Sequence, residues 1–108
     1  MAYDRRITLQ QKTTIKDAWG GEKDGYEDLE TVWAEFNPTS DAEKFRAGQA
    51  EATSMGWFRV RYSAVAALIG PRDQVMDAGK AWKIVGVKQI GRRRSIEFTA
   101  THSDATGS

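Results

Sequence analysis

Apolar and polar residues alternate with a period of two over most of this chain, the signature of strands with one buried face. Arg6-Ile-Thr-Leu-Gln10 sets Ile7 and Leu9 on one side of an opening strand. Trp57-Phe-Arg-Val-Arg-Tyr62 does the same, with Phe58, Val60 and Tyr62 inward and Arg59 and Arg61 outward. Two hairpin signatures close the chain, Asp73-Gln-Val-Met-Asp-Ala-Gly-Lys-Ala-Trp-Lys-Ile-Val-Gly-Val87 and Gly91-Arg-Arg-Arg-Ser-Ile-Glu-Phe-Thr99. Each is a run of β-branched and aromatic residues broken by Gly, Lys, Arg or Asp, so the chain doubles back into a meander. In the strand Ala81 to Val87, Trp82 and Ile84 occupy one face and Ala81, Lys83, Val85 and Val87 the other. Both faces carry apolar bulk, and the outer one is expected to meet another element or a partner subunit.

Between these strands the punctuation is local. Asp17 to Asp24 is rich in Gly, Asp, Glu and Lys around Trp19 and reads as a surface loop. Leu29, Val32, Trp33 and Phe36 have the i, i+3, i+4, i+7 spacing of a helix face, yet Val32, Ala34 and Phe36 also alternate as a strand does. Side-chain shape favours strand for Thr31 to Phe36. Asn37-Pro38 ends that element. Ser40-Asp-Ala-Glu43 then reads as a capping box that opens a short helix over 41–52. Phe45 is the only large apolar side chain in that helix, and burying one Phe contributes about 1.5–3 kcal/mol. The segment Thr39 to Gly56 is therefore expected to be an arm ordered by neighbours, with hinges at Gly48 and Gly56. Ser63 to Ile69 is an apolar connection, and Gly70-Pro71 turns the chain into the meander.

The fold class that follows is mainly all-β: a small antiparallel β-barrel or sandwich with one short helix or arm in the middle. Its expected core is Ile7, Leu9, Val32, Phe36, Phe58, Val60, Val75, Trp82, Ile84, Val87, Ile96 and Phe98. At 108 residues, the chain is long enough for one domain that buries roughly two thirds of its unfolded surface. That domain is expected over 1–101, with the small polar residues 102–108 as a flexible tail.

Composition removes several function classes. The chain has no cysteine, so it has neither a disulfide framework nor a thiolate metal site, and a reducing cytoplasm suits its synthesis. Its one histidine, His102, is placed by sequence in the polar tail, which leaves no base for a Ser nucleophile and no imidazole metal cluster. No cofactor is called for. No stretch has the apolar length of a membrane span or a secretory core, so a soluble protein without a membrane partner is expected. Sixteen basic against fifteen acidic residues give a net charge of +1, which weakens bulk electrostatic attachment to nucleic acid.

Local chemistry remains. Glu22, Asp24, Glu27, Asp28, Glu30 and Glu35 read as a solvated acidic loop and strand edge, with paired-carboxylate hydrolysis as a distant alternative. Arg92, Arg93 and Arg94 sit at a hairpin tip, where they blunt a sheet edge or meet phosphates or an acidic partner. Trp33 and Trp82 are expected in the core, Trp19 and Trp57 at contacts between subunits.

The order of these pieces is itself informative. Arg6-Ile-Thr-Leu-Gln10, Asp17-Ala-Trp-Gly-Gly21, Thr31-Val-Trp-Ala34, Phe58-Arg-Val-Arg-Tyr62, Asp77-Ala-Gly-Lys-Ala-Trp-Lys-Ile84 and Arg92-Arg-Arg-Ser-Ile-Glu-Phe98 together resemble the head-tail joining proteins of long-tailed phages. These are also called head closure or stopper proteins and have relatives in prophages and gene transfer agents. The resemblance implies a small β-barrel in a homo-oligomeric ring, six- or twelve-fold, at the head-tail interface of the virion, assembled in the host cytoplasm. It also implies a portal or adaptor ring on one side, tail terminator or tail tube proteins on the other, and packaged double-stranded DNA in the channel. Candidate subunit or channel contacts are then Lys44, Phe45, Arg46, Trp57, Arg92, Arg93 and Arg94. The alternative reading is a nucleic-acid-binding module on a small β-barrel, using Arg59, Arg61 and the Arg92–Arg94 turn.

Overall fold

A computed structural model describes residues 3–16, 18–40, 43, 46, 48 and 54–103. Six strands form: β1 (Arg5–Lys16), β2 (Glu22–Pro38), β3 (Ser54–Arg61), β4 (Gln74–Asp77), β5 (Lys80–Ile90) and β6 (Ser95–His102). A 3-10 turn, Ala66–Leu68, resolves the form of the apolar connection. All pairings are antiparallel, and the order β1-β2-β3-β6-β5-β4 closes because β4 pairs back onto β1. The expected all-β architecture is observed, and closure leaves the barrel wall without a free edge.

The inward positions of each strand fill the barrel. Phe58 and Phe98 face each other across β3 and β6, both wholly buried, with Ile7, Leu9, Val60, Val75 and Ile84 around them. Phe36, Phe58 and Trp82 form an aromatic cluster with ring centroids 4.8–5.4 Å apart, tilted or edge-on as ring quadrupoles prefer. Ala66 and Ile69 plug the core from the 3-10 connection. Val32 and Phe36 are half-buried and pack against this cluster from its margin.

A bulge explains the helical spacing seen in the sequence. Leu9 pairs with Glu30 and Gln10 with Asp28, so Leu29 is an extra residue in β2 and packs against the core. The i, i+3 step from Leu29 to Val32 is this bulge superposed on strand alternation. Trp33 is out of phase with the inward set and is 52% exposed, which corrects its expected place in the core. A second bulge lies between Ile84 and Gly86. It turns Val87 to the side of its cross-strand partner Phe98 rather than the outer face, yet Val87 remains 42% exposed near the barrel's end. Val87 thus joins neither the core nor the outer apolar patch expected of it, and the outer patch on β5 reduces to Ala81 and Val85.

Two buried carboxylates staple the turns. Asp73 accepts from the backbone N–H groups of Lys12 and Gly70, both at 2.8 Å, tying the connection before β4 to β1. Asp77 accepts from Arg5 across the β1–β4 seam. Between β4 and β5, Ala78 and Gly79 both have positive φ (52° and 80°), the two-residue type I′ turn that matches strand twist.

Several boundaries shift. The loop expected over Asp17 to Asp24 is shorter, because β2 begins at Glu22 and β1 runs on to Lys16. Beyond Gln10 the β1–β2 pair has no β4 alongside, Asp73 holds the Lys12 N–H, and β2 pairs with β3 only from Ala34 onward, so Thr13–Lys16 and Glu22–Gly25 form a two-stranded ribbon projecting past the barrel. Gly56 is no hinge. It lies buried within β3, paired with Pro38 and Ala100. His102 is in β6, opposite Ser54, and its Nδ1 lies 3.0 Å from the Ala81 carbonyl oxygen, so it does not belong to a polar tail. Of the expected helix, Glu43 and Arg46 are helical, and the Glu43 N–H donates to Ser40 Oγ (3.2 Å), one half of the capping box. Lys44 and Phe45 lie outside the described residues.

Candidate interaction surfaces

Outward-facing residues on β1, β2, β3 and β6 make a surface of arginines stacked on aromatic rings. Arg6 pairs with Trp33 in register and its guanidinium carbon lies 4.9 Å from the indole centroid. Arg61 lies 5.4 Å from the Tyr3 ring and Arg59 4.6 Å from Trp57. Such contacts are worth about 0.5–1 kcal/mol at exposed sites. Arg59 is also held between carboxylates: its Nη2 donates to Glu97 (3.1 Å) and its Nη1 lies 3.8 Å from Glu35. Two carboxylates therefore share one guanidinium, and the charge of Arg59 is spent within its own sheet.

The predicted contact residues separate on this surface. Trp57 is half-buried with Arg59 over its ring, so it presents less free area than a contact anchor would. Arg92, Arg93 and Arg94 are all exposed on the β5–β6 turn, where Arg93 has φ 53°. The Tyr62 N–H donates to the Arg94 carbonyl (3.0 Å), which fixes this turn against the end of β3. Arg46 is exposed and stands on the β2–β3 connection, apart from that turn in sequence.

Three shallow concavities adjoin Arg61. One is lined by Glu30, Val32, Trp33, Arg61, Tyr62 and Ser63, another by Tyr3, Asp4, Trp33 and Arg61, and the third by Tyr3, Arg59, Arg61, Ile90, Arg94 and Ser95. This groove region has aromatic walls and carries the carboxylates of Asp4 and Glu30 as well as the guanidinium groups of Arg59, Arg61 and Arg94. Sequence reasoning missed Tyr3, Arg6 and Trp33 as surface residues. The signal for Trp33 was present, since alternation of Val32, Ala34 and Phe36 puts Trp33 on the opposite face. At the far end of the molecule the ribbon carries Trp19, 92% exposed, and Ile15, 42% exposed. Over residues 11–16 and 22–27 the charges balance, Glu22, Asp24 and Glu27 against Lys12, Lys16 and Lys23. Among the described residues no group of three or more His, Cys, Asp or Glu side chains is placed to hold a metal ion.

The comparison with known families gives this aromatic and arginine-rich surface its context. Residues 2–103 match the model of the phage head completion protein family. The chain belongs to that family. The resemblance drawn from the order of its sequence motifs is thereby borne out, and this head completion protein is a structural protein of the phage head. Its fold is shared with protein SF1141 from Shigella flexneri 2a, with 24% identity, TM-score 0.69, and 91% of this chain and 90% of that one covered. It is shared also with a chain of the virion of a native gene transfer agent particle, with 21% identity, TM-score 0.63, and 92% and 93% covered. No curated protein matches the sequence.

Proposed function

We propose that this head completion protein forms a ring at the head-to-tail junction, closes the filled head against loss of its DNA, and offers the tail its attachment platform. The observation that carries this reading is the family match over nearly the whole chain. The fold likeness to a chain of a gene transfer agent virion supports it. The surface chemistry agrees: outward aromatic and arginine side chains are the residue types that anchor protein interfaces. A ring in this place has a portal or adaptor ring above it, tail terminator or tail tube proteins below it, and double-stranded DNA in its channel.

The β2–β3 connection is the element proposed to reach the channel or the adjacent subunit. Its base is clamped on the barrel, because Pro38 pairs with Gly56 and the Thr39 N–H donates to the Met55 carbonyl at 2.8 Å. Removing residues 42–53 and joining the ends by a short Gly-containing turn therefore leaves β2 and β3 in register. Particles assembled with that variant are expected to fill and then lose DNA, or to fail to accept tails, while the isolated variant unfolds near the wild-type midpoint. DNA retention and tail joining at wild-type efficiency would count against the arm's role. Electron microscopy of particles that shows this chain at a single copy, or without cyclic symmetry, would overturn the ring itself.

A nucleic-acid-binding module is the second reading, favoured by the exposed Arg92–Arg94 turn. Retardation of duplex DNA by the isolated protein at about 150 mM salt, lost on changing the three arginines to alanine, would favour it.

A further inference from the structure

The near-neutral charge of the whole chain conceals a segregation within it. Residues 78–96 hold six cations, Lys80, Lys83, Lys88, Arg92, Arg93 and Arg94, and no carboxylate, in a chain whose net charge is +1. All six are exposed, and among the described residues none takes part in an ion pair. The carboxylates on the elements beside β5 are already engaged. Asp77 accepts from Arg5, Asp73 from the N–H groups of Lys12 and Gly70, and Glu97 from Arg59, although Lys88 is the β5 residue opposite Glu97. Register fixes where the strand charges point. Lys83 is opposite Gln74 and Thr101, and Lys88 opposite Glu97, positions that alternate with the buried Val75, Ala100, Ile96 and Phe98. Both lysines therefore stand on the outer face of the wall.

We infer that this outer face of β5, with the arginine turn at its end, lies along the phosphate backbone of duplex DNA. β5 is eleven residues long, about 33 Å at 3.3 Å per step, close to the roughly 34–36 Å of one duplex turn. Ala81 and Gly86, between the lysines, keep the face low enough for a backbone to approach. A protein partner anchors on exposed aromatic side chains, whereas the one aromatic residue of β5, Trp82, is buried. Duplex DNA needs no such anchor. It carries one negative charge per about 1.7 Å of axis, and cations that neutralise its phosphates release counterions whatever the sequence. The site is thus larger than the arginine turn, and Lys83 and Lys88 are its decisive members because they put it on the wall of the barrel. One copy touches few phosphates and binds weakly, and a ring multiplies the contact by avidity. That the duplex is the packaged DNA rests on the ring reading, whereas the attraction of this face for duplex does not.

Fluorescence anisotropy of a labelled duplex of about 20 base pairs, titrated with the isolated protein from about 25 to 150 mM salt, tests the contact. The logarithm of the association constant should fall linearly with the logarithm of salt concentration, with a slope of about −0.9 per phosphate neutralised. Lys83→Gln combined with Lys88→Gln should make that slope shallower by about 1.8, and Lys83→Arg combined with Lys88→Arg should leave it unchanged. Lys16→Gln combined with Lys23→Gln removes the same charge from the exposed ribbon instead, and the slope should stay at its wild-type value. Equal effects of the two glutamine pairs would mean that total charge, not its placement on β5, governs binding, and would overturn the proposal. So would the absence of binding at the lowest salt, or a slope indifferent to the loss of Lys83 and Lys88. Thermal melts that match the wild type exclude misfolding as the cause of a change. Failure of this test with cyclic rings still seen in particles removes this face alone. A positive test without cyclic symmetry in particles keeps the DNA contact and removes the ring.

Discussion

Gly56 abuts the ring of Phe36: a Cβ placed on Gly56 would lie 2.7 Å from Phe36 Cε1 and 2.7 Å from the Asn37 carbonyl oxygen. A backbone atom cannot move aside for a methyl group as an exposed side chain can. Gly56→Ala is therefore expected to destabilise the barrel by about 1–3 kcal/mol, as overpacking does. Gly25→Ala is the matched control, since the atoms it meets belong to the half-exposed Ile15 side chain, which can swing outward. Thermal unfolding of both should show the Gly56 variant losing at least twice as much, and equal losses would count against a packed strand at Gly56.

The type I′ turn at Ala78-Gly79 holds an alanine at φ 52°. That conformation costs an L-residue with a Cβ roughly 1 kcal/mol, whereas asparagine adopts it with ease. Ala78→Asn should raise stability by about 0.5–1 kcal/mol, read as a higher denaturant midpoint with an unchanged slope.

The tryptophans divide differently from the sequence expectation, and the division is measurable. Trp82→Ala should cost about 3–5 kcal/mol, and Phe98→Ala a similar amount, because both rings fill the barrel. Trp33→Ala should cost only about 0.5–1 kcal/mol, the worth of its stacking contact with Arg6. Among the described residues the buried Trp82 Nε1–H has no hydrogen-bond acceptor, so Trp82→Phe loses volume but none of their hydrogen bonds and should cost far less than alanine. Denaturant titrations of the four variants check the ranking.

The Arg5–Asp77 pair is lopsided: the arginine side chain is 44% exposed and the aspartate 8%. Removing the arginine strands a nearly buried carboxylate, and Arg5→Met is expected to cost about 1–3 kcal/mol. Asp77→Asn leaves an arginine that can turn to water, and its cost should stay below about 1 kcal/mol. Equal losses from the two single variants would mean that burial of Asp77 does not control the pair.

Most of the wall of this barrel was legible in the sequence, because alternation in Arg6–Gln10, Trp57–Tyr62 and the closing meander is set by one buried face. The bulges were not. At Leu29 the extra residue mimicked a helical step, and at Val85 it moved Val87 to the other face, since a bulge is fixed by cross-strand register and leaves no mark in local composition. His102 looked like tail because its neighbours are small and polar, yet β3 supplies the pairing partner that extends β6 to it. Of the candidate contacts, the arginine turn at 92–94 was recognisable from its bare charge. The groove was not, for Tyr3, Trp33 and Arg61 meet only when strands distant in sequence close.

That closure hangs on a short seam. Only Ile7 to Gln10 pair with Gln74 to Asp77, and Ile7 and Asp77 are seventy positions apart in the chain. Every hairpin contact encloses a far smaller loop, so the seam carries the largest closure entropy for only four residue pairs. It should be the last pairing to form in folding and the first to open in native-state hydrogen exchange. With the seam open, the molecule is a flat six-stranded sheet with raw edges at β1 and β4, ready to pair with any strand that meets it. Concentration-dependent aggregation of this protein should therefore begin at that seam, well before the rest of the barrel unfolds.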